Sequence, residues 1–153
     1  MIKRFSGAAA AVFLLGGTIL GGVATSGCSG GRFGNTLSKS DQVRIGQQAA
    51  GEIEQKNRVI TSGPQYEQLQ RVAARIIPLA RQDFDVPYTV KLIDSKEVNA
   101  FALPGGPIYF YKGLVDITTS DDELASVVGH EAAHVIKQHS AKQISDAQAK
   151  NII

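Results

Sequence analysis

Two histidines four residues apart, on a run built to be a helix, constrain this chain more than any other feature. Ser120-Asp121-Asp122-Glu123 is a capping box: it offers a hydroxyl to the orphan N–H groups of a first turn and sets acidic side chains at the positive end of the helix dipole. Behind it Leu124, Val127, Val128, Val135 and Ile136 fall on one apolar arc, so the spacing predicts one long helix from Asp121 to about Ser145. Within that run stands His130-Glu131-Ala132-Ala133-His134. Four residues advance about 400° around a helix, which leaves the two imidazoles about 40° apart on one face, one turn above the other. From there both can ligate one tetrahedral zinc ion, one Zn2+ per site.

Glu131 is too near in sequence to join the histidines as a ligand, but it can hold a water at the metal and take its proton as general base. Neutral imidazoles leave the charge of the metal uncancelled, so it can acidify that water and polarise a carbonyl. The expected reaction is hydrolysis of a peptide bond, with protein or peptide substrates. His139, five residues after His134, would point about 140° away on a straight helix and could not reach the same metal; a partly buried, hydrogen-bonded histidine is expected. The longer metzincin motif fails, because its glycine and third histidine positions hold Lys137 and Ser140.

Upstream, Ser38 or Ser40 can cap a helix running to about Lys56, and Ser62-Gly63-Pro64 starts a second, with Tyr66, Leu69, Val72, Ala73, Ile76 and Ile77 at helical spacing. Pro78 is expected to end or kink it. From Pro87 the period changes to two, with Tyr88, Val90 and Leu92 on one face of a strand. A second strand is expected near residues 98–103, and Pro104-Gly105-Gly106-Pro107 turns it into Ile108-Tyr109-Phe110-Tyr111, a hairpin over 98–111. Gly113 to Thr118 holds a short helical turn. The expected fold is α+β: two N-terminal helices, a small antiparallel sheet with a hairpin, and the long motif helix.

The N-terminus is an address. Lys3 and Arg4 are the only charged residues before Cys28; without them 14 basic residues face 14 acidic ones, and no basic tract remains to support nucleic-acid binding. An uncharged run from Phe5 to Val23 and the small residues Ala24-Thr25-Ser26-Gly27 complete an export signal over 1–28. Thr25-Ser26-Gly27-Cys28 resembles a lipobox, which implies lipidation at Cys28; the alternatives are an ordinary signal-peptidase cut and a retained signal anchor, and the expectation is an envelope protein held to a membrane by lipid or signal anchor and facing the periplasm. Residues 29–37 read as a flexible tether and 38–153 as the folded part. A single cysteine argues against a disulfide framework, and 153 residues are expected to build one core rather than two.

Val98-Asn99-Ala100-Phe101-Ala102-Leu103-Pro104-Gly105-Gly106, Gly113-Leu114 and His130-Glu131-Ala132-Ala133-His134 occur in that order, and with them the chain resembles the HtpX-like and CAAX-prenyl-endopeptidase-like zinc metallopeptidases of gluzincin type. It is most similar to their periplasmic lipoprotein members. The resemblance covers about Ser38 to Ser145 and implies a zincin-like fold, His130 and His134 as zinc ligands, Glu131 as the catalytic residue, and envelope proteins as substrates. It also implies that Asn99, Ala100, Phe101 and Ala102 border the cleft and align an extended substrate by strand addition.

One departure stands out. The family takes its third ligand from a glutamate on a later helix. Here 19 residues follow His134, and Asp146 is their only acid. The expectation is a C-terminally truncated record, with the later helical part missing; Glu97 and Asp116 remain open as upstream carboxylates. The other functional class compatible with these features is a catalytically incomplete lipoprotein that acts as a binding or scaffold module.

Overall fold

The computed structural model describes residues 35–150. The expected export signal, Cys28 and most of the expected tether lie outside them. The element order is α1 (Lys39–Lys56), β1 (Val59–Ile60), α2 (Pro64–Asp83), β2 (Thr89–Ile93), β3 (Ala100–Ala102), β4 (Pro107–Tyr111), α3 (Lys112–Ile117), α4 (Asp121–Ile136) and α5 (His139–Lys150).

The helix starts follow their caps. Ser38 Oγ accepts from the Asp41 N–H and opens α1; Ser120 Oγ accepts from the Glu123 N–H and opens α4. The carboxylate of Glu123 returns to the N–H of Thr119 at 2.7 Å, one residue before the cap. Helix α2 buries Leu69, Val72, Ala73 and Ala80, the face its spacing predicts. Pro78 does not end it: the helix runs on to Asp83. Pro78 and Ala74, whose carbonyl loses its i+4 donor, both lie on the exposed face, where water can take the place of that donor.

The sheet order is β1-β2-β4-β3. It is mixed, not antiparallel: β2 and β4 run parallel from Thr89↔Pro107 to Ile93↔Tyr111, while β1–β2 and β3–β4 are antiparallel. The expected hairpin is present as β3–β4, but β3 is short, and the two-residue β1 was not foreseen. Strand β3 is intercalated in sequence yet lies outside β4, so β2 reaches β4 by a crossover and arrives parallel.

Alternation on β4 sets up two layers. Ile108 and Phe110 point into one core with Leu69 and Val72 of α2 and Leu124, Val128 and Ala132 of α4. Each large side chain buried there contributes about 1.5–3 kcal/mol. Tyr109 faces the other way and donates to Glu54 of α1 at 2.7 Å. Lys91, its register partner on β2, reaches the same carboxylate oxygen at 2.6 Å. The turn before β4 also backs onto α1. Gly105 has φ 72°, and a Cβ there would stand 2.4 Å from the Cα of Val43.

Candidate metal centre

Helix α4 packs against α2 and lies beside the edge strand β3, which brings its inner face to the open side of the sheet. Leu124, Val128 and Val135 on that face are buried, and so is Glu131. His130 is exposed and His134 half-buried, so the pair sits where the apolar arc meets solvent.

The Nε2 atoms of His130 and His134 are 3.1 Å apart, with ring centroids 4.7 Å apart and planes at 81°. Two imidazole nitrogens bound to one tetrahedral zinc, each about 2.0–2.1 Å from it, stand roughly 3.3 Å apart. The convergence therefore fits a shared metal. Among the described residues, His130, Glu131 and His134 form the group of ligating side chains that could hold a metal ion, their donor atoms all within 4.8 Å of one another. Glu97 and Asp116 do not join it. Asp116 instead accepts from Gln65 at 2.9 Å and pairs with Lys112.

Glu131 is 5% exposed, and its Oε2 has no hydrogen-bond partner among the described residues. A buried, unsatisfied carboxylate oxygen is costly and rare in folded proteins, and beside two convergent imidazoles it indicates a ligand or water at this spot. Burial pushes the Glu131 carboxyl above its ordinary value, and the charge of His130 acts in the opposite sense. Burial also pushes His134 down, helped by the positive charges of His130, His139 and Lys137. A neutral imidazole is the form that ligates a metal.

The expected single helix is two. Helix α4 ends at Ile136, Lys137 keeps helical dihedrals, and Gln138 turns to φ 55° before α5 begins. His139 therefore does not point away: its Nδ1 lies 2.7 Å from Nδ1 of His134. It is half-buried and hydrogen-bonded, as expected, but it stands against the second motif histidine. Sequence reasoning missed this contact because no glycine or proline marks the break.

Across the cleft, Phe101 and Ala102 of β3 face Glu131, His134 and Ser140. Ser140 donates to the carbonyl of Ala102 at 3.0 Å. Asn99 accepts from the Tyr111 N–H, and the Leu103 N–H donates to Pro107, so residues 99, 101 and 103 turn their backbone groups to β4. Those of Ala100 and Ala102 turn to the open edge. No helix among the described residues is long and apolar enough to cross a membrane.

Comparison with known proteins places these features in a wider group. The family model described as Peptidase family M48 matches residues 64–153. The chain is 32% identical over 122 residues to the mitochondrial metalloendopeptidase OMA1 of Schizosaccharomyces pombe, covering 78% of this chain and 36% of that protein. It is 30% identical over 118 residues to the metalloprotease LoiP of Escherichia coli, covering 77% of this chain and 46% of that one. It is also 30% identical over 113 residues to a putative beta-barrel assembly-enhancing protease of Vibrio cholerae, at 74% and 23% coverage. The chain thus spans less than half the length of each of these relatives.

Proposed function

Because the chain belongs to peptidase family M48, we propose that it carries the zinc-binding and proton-transfer part of a metalloendopeptidase, with His130 and His134 as ligands and Glu131 as general base. The observation that carries this reading is the convergence of the two Nε2 atoms at 3.1 Å beside the buried, unpartnered oxygen of Glu131.

A zinc ion held by the two imidazoles supplies a Lewis acid for the attacking water and the scissile carbonyl. His130 and His134 would hold the ion, with further donors supplied by solvent or from outside the described residues. Glu131 removes the proton from the attacking water and delivers it to the departing amine, and the raised affinity of its carboxyl for a proton suits both halves of that task. The arc of Leu124, Val128 and Val135 holds α4 against the core, so the base and both imidazoles are positioned by a rigid element.

The substrate is an extended peptide that adds to the free edge of β3, where Asn99, Ala100, Phe101 and Ala102 border the cleft. With the Ala102 carbonyl engaged by Ser140, the peptide pairs with both backbone groups of Ala100 and with the N–H of Ala102. Envelope proteins are the proposed substrate class, supported by the export pattern of residues 1–28 and by the printed name of the Vibrio cholerae relative. Lipidation at Cys28 would anchor the protein to a membrane and keep it in the periplasm.

The test is cleavage of an unstructured protein such as casein. We expect chelator-sensitive hydrolysis that Glu131→Gln abolishes while metal binding persists. Equal hydrolysis by Glu131→Gln would overturn the assignment of the base.

A further inference from the structure

Every metal-ligating imidazole has a second nitrogen, and what that nitrogen bonds decides which one carries the proton. For His134 the partner is His139, at 2.7 Å between Nδ1 atoms, with the rings 4.9 Å apart and inclined at 68°. A neutral imidazole pair can bond through these two atoms only if one is protonated and the other bare. His134 needs its Nε2 lone pair on the side facing His130, so its proton sits on Nδ1 and His139 Nδ1 accepts it.

This contact depends on the break at Gln138. On an uninterrupted helix residue 139 lies about 140° around from residue 134. At Gln138 the chain takes φ 55°, a conformation strained for a non-glycine residue, and α5 restarts with His139 turned back to α4. The strain is held by side chains from far away in sequence. Asn35 Nδ2 and Gln42 Nε2 both donate to Gln138 Oε1, the latter at 3.1 Å. Gln42 is 2% exposed, and Ser145 of α5 donates to Asn35 Oδ1 at 3.3 Å. A part-buried polar knot joining Asn35 and the start of α1 to α5 thus holds the bend that returns His139 to the candidate metal centre.

We propose that His139 is a positioning residue: as acceptor for the Nδ1–H of His134 it fixes the tautomer and ring orientation that present Nε2 to the metal. The proposal rests on the reading of His130 and His134 as ligands, but the tautomer can be read without any metal.

The experiment is nitrogen NMR on the metal-free, histidine-labelled chain, well above the ordinary histidine value of about 6.5 so that the imidazoles are neutral. We expect His134 as the Nδ1–H tautomer. His139→Leu should release it to a mixture, whereas His139→Asn, whose Oδ1 can accept in place of Nδ1, should retain it. Zinc affinity should fall about 10–100-fold in His139→Leu and recover in His139→Asn. A wild-type His134 protonated at Nε2 would overturn the proposal, as would a His139→Leu chain with unchanged tautomer and affinity. Should His139→Leu fail to fold, the wild-type spectrum and His139→Asn still decide. A wild type with the Nδ1–H tautomer and no affinity for zinc would sink the metallopeptidase reading and support this contact.

Discussion

The hydroxyl of Ser140 and the carbonyl of Ala102 meet at 3.0 Å, tying the first turn of α5 to the edge strand across the cleft. Ser140 follows His139 directly, so one short segment contacts both the second motif histidine and the edge strand beside the candidate metal centre.

Removing that tie should loosen the edge. Ser140→Ala should cost about 0.5–1.5 kcal/mol, since Ala102 is half-buried and its carbonyl can take a water instead. The check is a lower denaturation midpoint with faster amide exchange in β3 than in β4. Unchanged exchange in β3 would show that the contact does not hold the strand.

Two glycines of α1 should respond in opposite directions to alanine. At Gly46 an added Cβ would stand 1.8 Å from the carbonyl oxygen of Pro104, so helix and turn must separate; Gly46→Ala should destabilise by about 1–3 kcal/mol. At Gly51 it would meet nothing within 4 Å, and Gly51→Ala should stabilise by about 0.5–1 kcal/mol through helix propensity. Urea titration of both variants measures the pair.

Glu54 joins α1 to the sheet and should give the fold an acid-sensitive component. Burial opposes its ionisation, but Lys91 and the Tyr109 hydroxyl outweigh that and hold its carboxyl below the ordinary 4.5. A depressed value means stability present above pH 4.5 and lost as pH falls through the lower folded value. Glu54→Gln should flatten that limb of a stability–pH curve. Glu54→Ala should cost about 1–3 kcal/mol near neutrality, because it leaves the hydroxyl of the fully buried Tyr109 without its acceptor.

Features written in local chemistry were legible in the sequence. The serine caps of α1 and α4, the stripe of α2, the Pro-Gly-Gly-Pro turn and the spacing of His130 and His134 all depend on neighbours within a few residues. What was missed depends on contacts across the chain. The parallel pairing of β2 with β4 is a crossover that alternation cannot reveal, and β1 is too short to carry a pattern. The break at Gln138 has no local signal, because Asn35 and Gln42, about a hundred residues upstream, hold it. With the break went the position of His139. Pro78 signalled an end or a kink to α2, and the end does not occur because exposure lets water replace the missing donor.

The central claim is that His130 and His134 share one metal ion while Glu131 stays free for proton transfer. Calorimetric titration of the metal-free chain with zinc tests it most directly. We expect one zinc per chain, weakened by more than about 100-fold in His130→Ala and in His134→Ala, beyond the range of outer-shell partners, and nearly unchanged in Glu131→Gln. No binding by the wild-type chain, or undiminished binding after loss of either histidine, would contradict it.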